Sequence, residues 1–566
     1  MKTIFSRFHF LILLFILLIA FFLRFYKLSE IPNGLYQDET AIGYNAYSIL
    51  TTSKDEYGKV LPVYFKSFGD YKLPVYIYST VVSEKLFGVN AFAVRFPSAF
   101  FGTVAVLVLF LFAKKITGNI PLSLLSSLLL AITPWHLQFS RAGFEVNVAL
   151  TFALTGSYLL ILGKDKTKAQ IFCLVTSIIF FGLSLYSYNV TRLLSPLIFL
   201  LIVFFYRKNF KQLPISTILI ALITAAIVLF PFMTSILSKA GASSASGALI
   251  TSHDIQAKTL EFRSYFIEHE LLSKVFFNRW VMMIWVYLEN LGSILSGNFF
   301  FVNGSPHGNQ GIGTIGTFYL FELPFFLFGL LSILKTKAEN LKIFIGWGVI
   351  TFFVLALSKE VPHATRGYFL IIPVTIIAAT GIIYGINLLM RIQIKLRYIV
   401  FTIIGVIVLY NIAYYFASYY VRFPIFYAKE WRQQDSQLVH YLMENGQKYD
   451  KIIIDSKTGF IYTSYLFYSK FNPEQFYTNS KRLPDDTEGF STVQSFGKIV
   501  FKNVDWETDY KRPRTLIVTT PDNKPKETPQ LKAFYFPTRP VVVSLKEQNF
   551  EFPVTDIPYV LVEGKE

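Results

Sequence analysis

The stretch FHFLILLFILLIAFFLRFYKL, residues 8–28, is an apolar run long enough to cross a lipid bilayer as a helix. Lys2 and Arg7 precede it as in a signal peptide, but no small-residue cleavage site follows, so we interpret it as an uncleaved first span. Further apolar runs lie at 93–113, 119–135, 144–163, 169–188, 190–206, 214–237, 317–334, 342–358, 367–390 and 398–418. The sequence therefore predicts a polytopic α-helical membrane protein with about eleven transmembrane helices.

The composition agrees with a membrane protein. Of the 566 residues, 53% are hydrophobic and only 16% are charged, whereas a soluble domain has about a quarter of its residues charged. The mean hydropathy is +0.46. The single cysteine, Cys173, excludes a disulfide framework or a cysteine-based zinc site within the chain.

The net charge of +17 would suggest nucleic acid in a soluble protein, but here the basic residues report orientation. With the N-terminus inside, most of these residues fall on the inner side. The inner groups are Lys2 and Arg7; Lys114 and Lys115; Lys164, Lys166 and Lys168; Arg207, Lys208 and Lys211; Lys335, Lys337 and Lys342; and Arg391, Lys395 and Arg397. The short outer turns carry Arg141, Arg192, Lys359 and Arg366. We therefore expect a cytoplasmic N-terminus and no nucleic-acid partner.

Three outer segments are long. Residues 29–92 form the first, and 238–316 form the second, which opens with a Gly/Ser/Ala-rich linker from Gly241 to Gly247. The third is the tail, 419–566, where a helix-like stretch from Glu430 to Asn445 precedes short β-branched runs. These runs are 451–455, 515–519 and 541–545. We predict a transmembrane domain, 1–418, and a small soluble α/β domain, 419–566, on the outer face.

The acidic pair Asp38-Glu39 follows the first span and opens a predicted helix, Thr40 to Leu50. A helix N-terminus favours negative charge, so the simpler alternative is an ordinary helix start. Asp55 and Asp70 are secondary carboxylates in the same outer segment. An ATP-driven transporter is not supported, because there is no P-loop and no G-x-G-x-x-G after a strand.

Several cations are expected at the outer face. Lys72 precedes a short amphipathic segment, 74–90, at a depth suited to a lipid phosphate, although an ordinary interfacial lysine is the alternative. Arg141, Arg192 and Arg366 lie in outer turns where positive charge is otherwise scarce. A shared anionic ligand would account for all three, and anchoring to lipid headgroups is the alternative. His136, His307 and His363 could hold a divalent ion together with Asp or Glu, but we expect no metal site.

Motifs from Leu23 onward resemble a known family. They are Asp38-Glu39, Lys72-Leu-Pro74, Leu86-Phe-Gly-Val-Asn90, Ala93-Val-Arg-Phe-Pro-Ser98, Thr133-Pro134 through Arg141, Leu185-Tyr-Ser-Tyr188 with Arg192, and Arg366 before a Pro-containing span. The chain thereby resembles the GT-C type membrane glycosyltransferases of family 39, which contains the protein O-mannosyltransferases and the aminoarabinose transferases. The likeness is to the bacterial branch, which implies a multi-pass protein of the bacterial plasma (inner) membrane with its active site and tail on the periplasmic or extracellular side.

The resemblance implies transfer of a sugar from a polyprenyl-phosphate carrier to a hydroxyl of a lipid, glycan or protein acceptor, with inversion at the anomeric carbon. Asp38 would be the general base and Glu39 would support it. The lipid phosphate and sugar would be bound by Lys72, Arg141, Tyr188, Arg192, His307 and Arg366, with His363 a further candidate. No cofactor is expected beyond the lipid-linked sugar as co-substrate.

Two alternatives belong to other classes. A transporter or flippase of lipid-linked saccharides would place polar residues within broken helices at the membrane midplane and often shows internal repeats. A non-catalytic anchor for the tail would not need eleven spans. Because the polar clusters gather at one face and no repeat is visible, the sequence favours an enzyme.

Overall fold

The computed structural model describes residues 2–68, 70–165, 169–236, 250–266, 268–336, 338–459, 461–485, 491–535, 542–545, 548–551 and 558–564. The predicted linker from Gly241 to Gly247 lies outside these residues. The chain is mostly helical and divides into two compact units. The first unit is Met1–Tyr26 with Ser98–Phe416, and the second unit is Lys27–Pro97 with Ala417–Glu566.

The secondary structure of the first unit is mainly helical in its described residues. Its helices are Lys2–Phe25, Ala91–Thr117 (from Ser98 onward), Ile120–Ile132, Pro134–Ser140, Glu145–Gly163, Gln170–Leu185, Thr191–Phe205, Arg207–Phe210, Ile215–Ile236, Ser252–Ser264, Glu270–Phe276, Arg279–Leu295, Glu322–Lys335, Lys342–Leu355, Ile371–Leu389 and Ile394–Ala417. Each predicted span overlaps one of these helices.

Five of the described helices are individually long and apolar enough to cross a membrane. They are Arg7–Phe25, Ala91–Thr117, Glu145–Gly163, Tyr368–Leu389 and Ile394–Phe426. The number rises to 7 if two bent helix pairs, Ile120–Ile132 with Pro134–Ser140 and Glu270–Phe276 with Arg279–Val302, each count as one span. The prediction of an α-helical membrane protein is therefore confirmed, and the count of eleven stays a prediction.

Two glycines bring a pair of first-unit helices into backbone contact. A Cβ added to Gly329 would lie 1.8 Å from the carbonyl oxygen of Ile377, and one added to Gly381 would lie 1.7 Å from that of Phe325. Small residues allow such close approach in membranes, where packing rather than the hydrophobic effect joins helices. Helices Glu322–Lys335 and Ile371–Leu389 therefore depend on both glycines for their contact.

The second unit combines helices and strands. The helices are Gln37–Thr52, Pro74–Phe87, Phe423–Phe426, Gln433–Asn445, Ile461–Tyr468 and Pro473–Asn479, besides the first turns of Ala91–Thr117. The strands are β1 (Phe65–Ser67), β2 (Asp70–Lys72), β3 (Lys451–Asp455), β4 (Lys481–Arg482), β5 (Val493–Phe496), β6 (Ile499–Lys502), β7 (Thr515–Thr519), β8 (Lys532–Phe534), β9 (Val542–Leu545), β10 (Gln548–Glu551) and β11 (Tyr559–Glu563). All three predicted β-branched runs contain strands, although residue 541 lies outside the described residues.

Seven strands form one mixed sheet in the order β4-β5-β6-β3-β7-β11-β8. Strand β3 runs parallel to both β6 and β7, while the remaining neighbours in this sheet are antiparallel. The central strand carries Ile452, Ile453 and Ile454, all buried, which fits a strand covered on both faces. The predicted α/β domain at 419–566 remains a prediction as an independent domain, since this unit also contains residues 27–97.

The helix Gln37–Thr52 packs against the helix Ile461–Tyr468 at a glycine. A Cβ added to Gly43 would lie 2.4 Å from the ring of Phe467, so the aromatic side chain occupies the space that any other residue would need. Leu35 and Tyr44 join the same buried cluster as Leu438. Residues near the acidic pair thus share a hydrophobic core with residues of the tail.

A buried ion pair connects the start of this helix to Arg95. The Nε of Arg95 lies 2.8 Å from Glu39 Oε1 and its Nη2 lies 3.1 Å from Oε2, so the contact is bidentate. Nη1 donates to the carbonyls of Leu28 and Pro32 at 3.0 and 2.7 Å, and Nη2 also donates to the carbonyl of Gly34. Both side chains are fully buried, so one guanidinium organises the chain between the first span and the acidic pair.

Glu84 is buried without such a partner. Its carboxyl is 2% exposed on the helix Pro74–Phe87, and neither oxygen has a hydrogen-bond partner among the described residues. Burial raises the pKa of Glu84 to about 9, although the positive charge of Lys470 opposes the shift. The acid is therefore protonated in the folded protein at neutral pH.

Removing one member of the buried ion pair should destabilise the protein. Glu39→Gln leaves the Arg95 cation without its counter-ion, and we expect the free energy of unfolding to fall by about 3–5 kcal/mol. Thermal denaturation of the purified protein in detergent measures the change. Glu30→Gln is the control, because it removes an exposed pair with Lys27 and should cost under about 1 kcal/mol. Equal stability of the two variants would contradict a structural role for the Glu39 pair.

Glu84 should make stability decrease as pH rises. Its folded pKa of about 9 lies above the ordinary glutamate pKa of 4.5, so the folded state binds more protons between these values. Within that window the free energy of unfolding should fall by up to about 1.4 kcal/mol for each pH unit. Glu84→Gln should flatten the dependence, measured by denaturation between pH 5 and pH 9. Glu444→Gln changes an exposed acid of the same unit, and an unaltered pH slope in both variants would refute the effect.

Candidate functional site

The acidic pair occupies the first turn of the helix Gln37–Thr52, as the sequence predicts. The backbone N–H of Tyr36 donates to Glu39 Oε2 at 3.3 Å, which satisfies one donor at the helix start. Negative charge in this turn is also favoured by the helix dipole. Local structure thus accounts for the helix start, and it turns the two adjacent carboxylates in different directions.

Asp38 forms an ion pair with Lys72. The Lys72 ammonium lies 3.0 Å from Asp38 Oδ1. Lys72 ends strand β2, which pairs with β1 in a short hairpin that places Phe65 opposite Lys72. The following Pro74 opens the helix Pro74–Phe87 at a position where proline is well tolerated. The hairpin therefore fixes the Lys72 ammonium beside the Asp38 carboxylate, although the two residues are 34 positions apart in the sequence.

The two carboxylates have opposite environments. Asp38 is 35% exposed, whereas the Lys72 side chain beside it is only 6% exposed. Glu39 is fully buried with both oxygens on Arg95. A proton acceptor must be reachable by the group that loses the proton, and Asp38 meets that requirement. Glu39 instead has the geometry of a group that positions its neighbour.

The secondary carboxylates, Asp55 and Asp70, differ from the Asp38–Glu39 pair. Asp55 is buried, and its Oδ1 accepts hydrogen bonds from the backbone N–H groups of Tyr57 and Lys59 at 2.9 and 2.8 Å. Burial raises the pKa of Asp55 despite these bonds. Burial also raises the pKa of the adjacent Glu56 to about 7, against the lowering effect of Arg482. The backbone of Asp70 lies in β2, while its side chain lies outside the described part of the chain.

The predicted arginines of the first unit have local structural contacts. Arg141 is buried and donates from Nη1 to the carbonyls of Leu23 and Arg24 at 2.6 and 3.2 Å. These carbonyls belong to the end of the helix Lys2–Phe25, where a cation is favourable. Tyr188 and Arg192 are half-buried at the turn before the helix Thr191–Phe205. Their binding roles stay predictions.

His307 and His363 come together in the first unit. The rings of His307 and His363 lie 5.1 Å apart between centroids. Glu360 Oε2 lies 3.6 Å from His307 Nε2 and 3.8 Å from His363 Nε2. Burial, followed by the charges of Arg366 and His307, lowers the pKa of His363 to about 3, so its imidazole is neutral at physiological pH. Arg366 follows this cluster in the same turn and is half-buried.

Sequence reasoning did not assign a site role to Arg95 or Glu360. Arg95 was visible as the central residue of Ala93-Val-Arg-Phe-Pro-Ser98, but its partner is more than fifty residues away. Glu360 stands three residues before His363, a spacing that brings two ligands to one turn. This spacing was the signal in the sequence that could have identified Glu360. His136, in contrast, contacts Arg24 through its Nδ1 and does not join His307 and His363 in the one described cluster.

Comparison with known proteins gives one family match and several structural likenesses. Residues 72–234 match the model of the dolichyl-phosphate-mannose-protein mannosyltransferase family. This segment begins at Lys72 and includes Arg95, Arg141, Tyr188 and Arg192. No curated protein sequence matches the chain significantly.

The fold resembles that of ArnT from Cupriavidus metallidurans, solved bound to undecaprenyl phosphate. That likeness has a TM-score of 0.53 at 11% identity and covers 100% of this chain and 99% of that one. The archaeal oligosaccharyltransferase AglB from Archaeoglobus fulgidus, solved with an inhibitory peptide and a dolichol-phosphate, gives a TM-score of 0.52 at 15% identity. The likeness covers 82% of this chain but 64% of the oligosaccharyltransferase, so the chain spans about two thirds of that protein's length. The family match and these folds together confirm the predicted resemblance: the chain has the fold of the GT-C type membrane glycosyltransferases and, over residues 72–234, the sequence pattern of the dolichyl-phosphate-mannose-protein mannosyltransferase family.

Proposed function

We propose that this protein transfers a sugar from a polyprenyl-phosphate carrier to a hydroxyl group of a lipid, glycan or protein acceptor. The reaction takes place at the outer face of a bacterial plasma membrane and inverts the anomeric centre. The observation that carries the proposal is the reachable Asp38 carboxylate held 3.0 Å from the nearly buried Lys72 ammonium. The match of residues 72–234 to a family of lipid-linked sugar transferases supports it.

Asp38 acts as the general base. The acceptor oxygen attacks the anomeric carbon while its proton passes to the Asp38 carboxylate, and the bond between that carbon and the phosphate oxygen breaks. The bonding pair leaves with polyprenyl phosphate, which therefore gains negative charge. A single displacement of this kind inverts the configuration. Glu39 positions Asp38 through the first turn of their shared helix, because its own oxygens are held by Arg95.

Lys72 supplies positive charge for the departing phosphate. An anionic leaving group is stabilised by a fixed cation nearby, and preorganised charge of this kind is often the largest catalytic effect in a site. The Lys72 side chain is held by the hairpin and lies near the ring of Phe68, with its ammonium 5.8 Å from the ring centroid. Binding of the phosphate or sugar by Arg141, Tyr188, Arg192, His307 and Arg366 is a further proposal, which rests on the sequence pattern alone.

An apolar cavity in the first unit suits the isoprenoid tail of the carrier. It has a volume of about 750 Å³ and is lined by helices Glu322–Lys335, Lys342–Leu355 and Ile371–Leu389. Phe301, Leu323, Phe326 and Phe352 contribute to its wall. Such a surface binds hydrocarbon without needing polar partners. The similar ArnT and AglB structures contain undecaprenyl phosphate and dolichol-phosphate, respectively, which are ligands of the same chemical class.

Loss of the base should abolish transfer while leaving the fold intact. Asp38→Asn should lower kcat by about 10²–10⁴-fold, because the amide cannot accept the acceptor's proton. Transfer of a radiolabelled sugar from a polyprenyl-phosphate donor in membranes measures the rate. Asp38→Glu should keep part of the activity, since it preserves a carboxylate.

The chain offers a matched control for this experiment. Asp485 pairs with Lys66 at 2.7 Å, and Lys66 lies in β1 of the same hairpin as Lys72. Asp485→Asn should therefore leave transfer near the parent rate. Undiminished transfer by folded Asp38→Asn would overturn the base assignment. Movement of lipid-linked sugar between leaflets of proteoliposomes without a covalent product would overturn the transferase proposal.

Removal of the Lys72 charge should slow the departure of the phosphate. Lys72→Met keeps an unbranched side chain in the hairpin, and we expect kcat to fall by about 10²–10³-fold, the usual effect of losing one preorganised charge donor. Lys66→Met is the control, because it removes the other ammonium of the hairpin. Kinetics with the lipid-linked donor separate kcat from KM. A change confined to KM would show that Lys72 only binds the donor.

A further inference from the structure

Among the described residues, one group of three His, Cys, Asp or Glu side chains brings its ligand atoms within 4.8 Å of one another. The group is His307, Glu360 and His363, and we name it the His-Glu-His cluster. All three residues belong to the first unit, so the cluster is complete within one compact body. The family match ends at residue 234, before the cluster, and the proposed transfer reaction gives no role to Glu360 or His363.

The distances in this cluster fit a shared ion better than direct hydrogen bonding. Glu360 Oε2 lies 3.6 Å from His307 Nε2 and 3.8 Å from His363 Nε2. Hydrogen bonds of this kind are about 2.7–3.2 Å long. Ligand atoms about 2.0–2.1 Å from one tetrahedral zinc ion would be separated by about 3.4 Å. Rotation of the exposed Glu360 side chain can shorten its two separations from the histidines, and the third separation, between the two histidine donors, lies within 4.8 Å.

A second contact already orients one of the ligands. The Nδ1 of His363 lies 2.8 Å from Thr365 Oγ1. With Nδ1 engaged by the hydroxyl, the opposite ring nitrogen, Nε2, faces Glu360. Metal-binding histidines commonly have their second nitrogen fixed by such a hydrogen bond, which sets both the tautomer and the ring orientation. Thr365 thus has the place of a positioning residue for His363.

The loops hold the ligands on backbone that is itself hydrogen-bonded. The backbone N–H of His307 lies 3.3 Å from Ser305 Oγ, and its carbonyl accepts from Gln310 N–H at 3.0 Å. The carbonyl of His363 accepts from the N–H of Gly367 at 3.0 Å. His363 is buried, whereas Glu360 is 62% exposed. A cation can therefore reach the cluster from the Glu360 side.

We propose that the His-Glu-His cluster binds one divalent transition-metal ion. Zinc fits the donors best, because two imidazoles and one carboxylate are the ligand set of many zinc sites that keep a fourth position open. The proposal differs from the sequence-based prediction of no metal site. That prediction followed from the sequence positions of His307 and His363, which lie in different turns. It does not rest on the transferase reaction, because metal binding is measured without turnover.

Zinc binding to the full-length protein tests the proposal. The protein is purified in detergent, stripped with a chelator, dialysed and titrated with Zn²⁺ by calorimetry, with bound metal counted by elemental mass spectrometry. We expect one ion per chain. Glu360→Gln and His307→Gln should each weaken binding by at least about 100-fold, and Thr365→Val should weaken it by about 10–100-fold, as for other positioning partners of metal ligands. Thr365→Ser keeps the hydroxyl and should restore tight binding.

His253→Gln is the matched control, because His253 is an exposed histidine of the same unit outside the cluster. Its zinc affinity should equal that of the parent chain. Elution volume and helical circular dichroism show that each variant is folded, and the exposure of Glu360 makes its variant the least disruptive. Two results would overturn the proposal: no stoichiometric zinc binding by the parent chain, or equal affinity in Glu360→Gln, His307→Gln and the control. Either would leave the cluster as a weak His–Glu contact.

Discussion

A buried charge must have its counter-charge, and in this protein the Arg95–Glu39 pair meets that constraint at the start of the second unit. The guanidinium uses Nε, Nη1 and Nη2 on the Glu39 carboxylate and on three carbonyls between Leu28 and Gly34. The ring of Trp431 lies 5.6 Å below it. Glu39 reaches this cation from the first turn of the helix that carries Asp38. The position of the acid therefore follows from the pair beside it.

The adjacent carboxylates of Asp38 and Glu39 point in different directions because a helix turns about 100° at each residue. Glu39 points into the core and is neutralised there, while Asp38 points outward to Lys72. Glu39 thus contributes to stability and Asp38 to the proposed transfer reaction, although the two residues are consecutive. A substitution at Glu39 that lowers activity therefore needs a stability measurement beside it before any catalytic meaning is assigned. This difference in direction also explains how the partly exposed Asp38–Lys72 pair can lie beside the fully buried Glu39–Arg95 pair.

The sequence was most informative where a pattern is local. Apolar runs such as 8–28 and 144–163 predicted helices, and Lys451–Asp455 predicted a strand, because hydropathy and β-branching act over a few residues. Long-range partners left no such pattern. Leu35 and Tyr44 share a core with Leu438, and that core joins residues 27–97 to the tail in one unit. The meeting of Glu360 with His307 depends on two loops folding toward each other, which neither loop's sequence encodes alone.

Strand order in the tail has a consequence for how the protein is made. Strand β11 is the last of the described strands to be synthesised, yet it lies inside the sheet between β7 and β8. Until residues 559–563 have been translated, β8 has no neighbour in this sheet and β7 keeps one edge open. During that interval the tail exposes unpaired strand edges, which are templates for aggregation. Closure of this part of the sheet therefore depends on residues 559–563, which pair with both β7 and β8.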